Sequence, residues 1–362
     1  MTLIPDQRRH RRGQERSRRI RCSLIREVKE ASRPVNNASR AAARAPGKII
    51  LAGEHFVVLG APAVAMAINL YSQVQVTPKN SSGVDVNADI PLRFLTGKNR
   101  NSGVPDPRQL LRPVQLAAEA TLRDVGAKDC GLRVNVECEI PVAAGLGSSA
   151  STTVAIISAI ARSRGIELSR KKIFKLAFVP ENFLHGKPSG VDQAACIYGG
   201  MIRFNRPSNV KTVRLEKEPA IVVCDTGIHH ATGTLVGGVV RKSRREKKDF
   251  RDYIAKVRDI SNGVVKALRE GDDEDLGVLM YQNHDLLRKI GVSHPKLDHL
   301  VEVARRSGGL GAKLTGAGGG GCMIVLCRSV KDRDRMSRIL RREGGTPYKV
   351  SMDVTGVESH SA

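Results

Sequence analysis

Eleven residues, Pro141-Val-Ala-Ala-Gly-Leu-Gly-Ser-Ser-Ala-Ser151, constrain this chain more than any others, because they set two glycines and two serines where a strand gives way to a helix. Before them, Leu132, Val134, Val136, Cys138 and Ile140 alternate with Arg133, Asn135, Glu137 and Glu139, the period of two of a half-buried strand. After them, Ala150, Val154, Ile157 and Ala161 recur at helical spacing up to Gly165, a C-cap residue. Glycine lets backbone approach a ligand closely, and the free N–H groups of a first helical turn attract an anion. The segment therefore reads as a phosphate cradle built from Pro141, Val142, Ala143, Ala144, Gly145, Leu146, Gly147, Ser148, Ser149, Ala150 and Ser151. Ser148 and Ser149 are placed either to cap the helix or to reach a metal ion. No Lys follows the glycines as in a Walker loop, and the Gly-x-Gly-x-x-Gly dinucleotide spacing is absent.

Three further stretches carry polar groups where packing alone would not put them. In the run Ala45 to Gly60, Lys48 and the pair Glu54-His55 interrupt an apolar strand, and buried charges need a partner or a task. An internal ion pair and a substrate contact are both open readings for Glu54, as are a core role and a ligand role for His55. Around the Pro188-Ser189-Gly190 turn, Glu181 and Asp192 stand eleven positions apart, so that one turn can bring both acids to one site. Magnesium-assisted phosphoryl transfer needs an oxygen ligand for the metal and a group that orients or deprotonates the attacking hydroxyl, which two differently placed acids satisfy. Finally, five glycines between Thr315 and Cys322 argue for close backbone approach, to a ligand or to the first glycine loop.

Taken together, Pro46-Gly-Lys-x-x-Leu-x-Gly-Glu-His55, Gly145-Leu-Gly-Ser-Ser-Ala150, Pro188-Ser-Gly-Val-Asp192 and Thr315-Gly-Ala-Gly-Gly-Gly-Gly321 resemble the motifs of the GHMP kinase superfamily, in the same order over about residues 44 to 350. Within it, Gly53-Glu-His-Phe-Val-Val-Leu-Gly-Ala-Pro-Ala63 is most similar to the archaeal-like mevalonate kinases. The resemblance implies an α+β, two-domain fold. Its N-terminal nucleotide-binding domain would be ribosomal protein S5 domain 2-like, over residues 44–215, and its C-terminal domain ferredoxin-like, over 216–362. It implies ATP as co-substrate, Mg2+ as cofactor and mevalonate as acceptor, with phosphomevalonate and homoserine as alternative acceptors and a homodimer as an assembly found among relatives. Carried onto this chain, Asp192 is the catalytic aspartate that accepts the hydroxyl proton. Lys48 stabilises charge developing on the transferred group. Ser149 and Glu181 hold magnesium, and Glu54, His55, Ser189, Gly190 and Thr232 form the substrate end.

Two departures bear on that transfer. The resemblance places an arginine where this chain has His230, so the group that meets a substrate carboxylate is not supplied at that position. Pro180 immediately precedes Glu181, and a kink there would set the direction of the acid.

Composition agrees with an aliphatic enzyme core. Hydrophobic residues make up 41%, aromatic residues only 3%, and Trp is absent. Seven scattered cysteines without Cys-x-x-Cys pairs argue for a reducing cytoplasm and against a disulfide framework. No apolar stretch approaches the ~18 residues of a membrane span. Residues 1–43 read as a basic, unstructured leader without a signal-peptide core; up to Arg44 there are 13 basic against 4 acidic residues. The stretch from about 78 to 108 reads as a long loop or irregular hairpin, and that from 234 to 270 as one basic helix. The net charge of +24 raises a nucleic-acid-binding alternative. Scarce aromatics and four phosphate and acid motifs weigh against it, and predict no specific nucleic acid and no membrane partner.

Overall fold

The computed structural model describes residues 19–24, 39–91, 107–185, 188–228 and 232–361. Two long strands, β2 (Ala41–Ala52) and β3 (Ala63–Lys79), form its spine and pair antiparallel. In β2 alternation holds only as far as Arg44, and every residue from Ala45 to Ala52 is buried. A strand stops alternating where both of its faces are covered. On one face Ala43, Ala45 and Ile50 pack against α2 (Ser148–Ser163) and α4 (Val191–Tyr198). On the other, Ile49 and Leu51 join Met66 and Ile68 in a core shared with the second half of the chain.

The sheet extends from this spine on both sides. With β1 (Arg19–Leu24), β4 (Gly83–Pro91), β5 (Gly131–Cys138) and β12 (Glu358–Ser361), the order is β1-β4-β5-β3-β2-β12, while β6 (Met201–Asn205) and β7 (Asn209–Thr212) continue from β3. Strands β4 and β5 are parallel, which requires a crossover, and α1 (Pro107–Asp124) provides it. Helix α3 (Arg170–His185) completes the layer on that face by packing on α1 and α2.

The second sheet comprises β8 (Ala220–Asp225), β9 (Gly311–Leu314), β10 (Cys322–Cys327) and β11 (Thr346–Lys349), ordered β11-β8-β10-β9 with antiparallel neighbours. That is the ferredoxin-like order, with the first strand between the last and the third. Helices α5 (Thr232–Arg245), α6 (Lys247–Glu270), α7 (Asp273–Lys289), α8 (Pro295–Arg306) and α9 (Val330–Arg342) accompany it. The chain then returns, and β12 closes the free edge of β2, where Glu358 meets Arg44 at 2.7 Å. No helix among the described residues is long and apolar enough to cross a membrane.

Several expectations need correction. The leader is not wholly unstructured, since Arg19–Leu24 pairs with β4 and Ala41–Ala43 already belong to β2. Of the stretch expected as a loop or irregular hairpin from about 78 to 108, residues 83–91 are strand β4, which pairs with β1 and β5 rather than with β3, and residues 92–106 lie outside the described set. The basic helix is two helices divided at Glu246. Helix α3 runs through Pro180 without interruption, so the direction of Glu181 is set by helical phase.

Gly277 tests the packing of the second layer, because a Cβ there would lie 2.2 Å from the Leu310 carbonyl oxygen. Alanine gains roughly 1 kcal/mol in helix propensity, whereas the clash with backbone costs about 1–3 kcal/mol or more. Gly277→Ala is therefore expected to lower stability in urea unfolding despite the better helix former.

Candidate active site

The cradle departs from β5 and enters α2 through backbone that an ordinary side chain resists. Ala143, Gly145 and Gly147 have φ of 58°, 83° and 80°. Gly147 is the N-cap of α2 and supplies no side-chain bond, so the N–H groups of Ser148, Ser149 and Ala150 remain available at the positive end of the helix. These residues face a cleft of about 220 Å3, lined also by Pro141, Val142, Ala143, Gly145 and Leu146. Ala144 and Ser151 face away: Ala144 O accepts from Cys322 N at 3.0 Å, and Ser151 Oγ donates to Ala45 O at 2.7 Å. They brace the cradle.

The second glycine loop explains the cradle's position. A Cβ on Gly145 would meet Thr315 O at 2.8 Å, one on Gly316 would meet Gly145 Cα at 2.6 Å, and one on Gly321 would meet Ala144 O at 2.9 Å. The close approach is thus made to the first glycine loop, while Gly316 and Ala317 also line the cleft.

Lys48 lies 1% exposed on β2. Its Nζ donates to Gly145 O at 2.8 Å and stands 3.1 Å from Asp192 Oδ1, while its backbone N–H donates to Leu146 O at 2.9 Å. Asp192 is the second residue of α4, and its carboxylate is 38% exposed toward the cleft. Ser149 Oγ donates to Glu181 Oε1 at 3.1 Å. Burial, reinforced by the negative charge of Asp192, pushes the Glu181 carboxyl up to about 7.

At the other end of the cleft, β2 ends in Gly53, Glu54 and His55. His55 has φ 60° and ψ −45°, and Phe56 N donates to Glu54 O across it at 2.6 Å, a strained γ-turn. Strain of this kind costs roughly 1–3 kcal/mol and persists only where surrounding structure imposes it. Here the surroundings are polar and buried. The Glu54 carboxylate pairs with Lys313 Nζ and accepts from Asn283 Nδ2 at 3.1 Å; Lys313 also donates to Ile50 O at 3.1 Å. Thr315 Oγ1 accepts from Ile50 N at 2.8 Å. Burial raises the Glu54 carboxyl and lowers the Lys313 ammonium, each opposed by the other's charge.

His55 Nε2 lies 2.9 Å from Ala317 O, which it can only meet as a donor. Burial holds its pKa near 4, so it is neutral at physiological pH, with Nδ1 buried as a lone-pair acceptor without a protein partner. Ser189 lines the cleft. Gly190 does not: it is the N-cap of α4, where a Cβ would strike the rings of Phe178 and Phe174 at 2.8 and 3.0 Å. Thr232 opens α5, its side chain lying outside the described set together with His230; Val236, one turn later, reaches the cleft. Sequence reasoning missed Asn283, because one amide on the buried face of an amphipathic helix carries no signal of its own.

A helix N-terminus over a cleft, a buried lysine bridging to a carboxylate, and a second, proton-poised acid define a phosphoryl-transfer enzyme. Residues 112–200 match the GHMP kinases N terminal domain and residues 264–346 the GHMP kinases C terminal domain. The chain is 36% identical over 329 residues to the mevalonate kinase of Pyrococcus furiosus, spanning 87% of this chain and 97% of the relative. To that of Methanocaldococcus jannaschii it is 31% identical over 311 residues, spanning 82% and 95%. The structure of L. major mevalonate kinase in complex with R-mevalonate superposes with a TM-score of 0.75 at 29% identity, covering 90% of this chain and 100% of that one. Lactococcus lactis galactokinase, at 20% identity and TM-score 0.72, shares the fold. The chain belongs to the GHMP kinase family and is an ATP-dependent kinase.

The Glu54–Lys313 pair should dominate the stability of this site. Lys313→Met leaves a buried carboxylate uncompensated and is expected to cost about 3–5 kcal/mol in urea unfolding. Adding Glu54→Gln, which keeps an acceptor for Asn283, should recover at least half of that loss; strictly additive losses would contradict the pairing.

Proposed function

We propose that this chain transfers the γ-phosphoryl group of ATP to the terminal hydroxyl of mevalonate, giving 5-phosphomevalonate for isoprenoid synthesis. The observation that carries the chemistry is Lys48 Nζ held between the Gly145 carbonyl and the Asp192 carboxylate at the mouth of the cradle. The substrate follows from the likeness to mevalonate kinases along most of the chain.

The free N–H groups of Ser148, Ser149 and Ala150 receive the phosphate oxygens. Asp192, partly exposed in the cleft, accepts the hydroxyl proton as that oxygen attacks the γ-phosphorus, and the neighbouring ammonium of Lys48 balances the charge that develops. Neutral His55 offers Nδ1 to a substrate hydroxyl, with Ser189 and Thr232 assigned to the same end.

The Ser149 and Glu181 oxygens fit Mg2+, which takes one or two protein ligands and completes its shell with phosphates and water. Among the described residues no group of three or more His, Cys, Asp or Glu could hold a metal alone, consistent with an ion shared with the nucleotide. Bound there, magnesium would neutralise phosphate charge.

ADP release across mevalonate, phosphomevalonate, homoserine and galactose, with ATP and magnesium present, tests the reading. Turnover with mevalonate alone is expected; turnover with another acceptor instead would overturn the substrate and leave the chemistry. Asp192→Asn is expected to lower kcat by about 10²–10⁴ with ATP affinity little changed, and a near-normal rate would remove Asp192 from the base role.

The raised Glu181 carboxyl adds a pH dependence. Below about 7 it holds a proton that a metal must displace, so apparent Mg2+ affinity should fall with acid and level off above that value. Glu181→Gln should flatten the profile. The sign for folding is opposite: a carboxyl raised from its ordinary 4.5 favours the folded chain in acid and costs stability as pH rises toward 7.

A further inference from the structure

Away from the cleft, a second cavity of about 470 Å3 lies between the β6–β7 ribbon of the first sheet and α6 of the second half. Four cations line it, Arg203 on β6, Lys211 on β7, and Lys266 and Arg269 on α6, against a single carboxylate, Glu270. Among the described residues Glu270 answers only Lys266, and weakly, at 4.0 Å.

Arg203 and Lys211 are directly opposite in the antiparallel register. Like charges in that relation destabilise a ribbon, and neither has a carboxylate partner within 4 Å among the described residues. Arg269 has an ordinary explanation, since a cation in the last turn of a helix complements its dipole, and Lys266 stands one turn before Glu270. That does not extend to the strand pair facing them. Arg203 is also held in place, donating a guanidinium N–H to Asn262 Oδ1 at 3.0 Å, which leaves its other N–H groups free for an acceptor. A fixed guanidinium, a facing ammonium and two cations across the gap form a recess for a compact multivalent anion, which would relieve the cross-strand repulsion.

We infer that this groove binds a small phosphate- or diphosphate-bearing ligand at a site separate from the nucleotide cradle. None of its residues belongs to the catalytic cleft, so the site does not depend on which alcohol the kinase phosphorylates.

Calorimetric titration of inorganic diphosphate into the full chain tests the site, with the cradle first saturated by a non-hydrolysable ATP analogue and magnesium. One further binding event is expected. Arg203→Gln/Lys211→Gln should weaken it at least ten-fold while kinase turnover without diphosphate stays within two-fold. The control Arg341→Gln/Arg342→Gln, which removes the same charge from exposed positions on α9, should leave it within two-fold. Lys266→Gln/Arg269→Gln, confined to exposed helix positions, gives a second groove variant should the ribbon variant fail to fold. Repeating the titration with glycerol phosphate separates a free inorganic ion from a phosphate ester as occupant, and binding of either supports the site. No second event, or equal weakening by groove and control variants, would overturn it. So would binding of a short single-stranded oligonucleotide in place of diphosphate, which would give the groove to a polymer.

Discussion

Everything in the cleft is referred to one buried ammonium. Lys48 is 1% exposed, and an ion so placed is tolerable only with hydrogen-bond acceptors and a counter-charge. It finds them on two separate pieces of chain, the carbonyl of Gly145 in the cradle and the carboxylate of Asp192 at the start of α4. The need to satisfy Lys48 therefore fixes the distance between the glycine turn before α2 and the carboxylate of Asp192. Its aliphatic stem contributes as well, lying where a Cβ on Gly147 would come within 3.0 Å. The β2 strand that carries it is held at both ends, by β12 near Arg44 and by the Glu54–Lys313–Asn283 cluster after Ala52.

That cluster gives the second half of the chain its part in the site. The glycine turn before α2 and the carboxylate of Asp192 lie in the first half, whereas Lys313, Thr315, Gly316 and Ala317 come from β9 and the loop that follows it. Through Glu54 they hold the strained turn at His55, and through Gly316 they press on Gly145. Removing a side chain at a glycine and burying a charge at a lysine serve one purpose here, which is to let two backbones touch at a fixed place.

Much of this was legible in the residues. Glycines at 145 and 147, serines at 148 and 149 and acids at 181 and 192 stand out because few packing reasons account for them together, and all six line one cleft. Lys48 interrupts an apolar run, and the expectation that a charge there needs a partner or a task is met by its contacts with Gly145 and Asp192. Pairing was less legible. Glu54 needed a partner, but nothing local distinguishes Lys313 from the chain's other lysines, and Asn283 is an isolated amide on a helix. The leader misled for a similar reason: its arginine clusters suggested a solvated tail, while Arg19–Leu24 gains its hydrogen bonds from β4, some 60 residues on. Pairings so distant in sequence leave no periodic trace.

The central claim is that a hydroxyl lodged at the His55 end of the cleft lies between Asp192 and a phosphate seated on the first turn of α2. A crystal structure of the full chain with mevalonate and a non-hydrolysable ATP analogue tests this most directly. The account predicts the terminal hydroxyl within about 3 Å of the Asp192 carboxylate and in line with the γ-phosphorus. A hydroxyl bound beyond hydrogen-bonding reach of Asp192, with the phosphates away from Ser148 and Ser149, would contradict it.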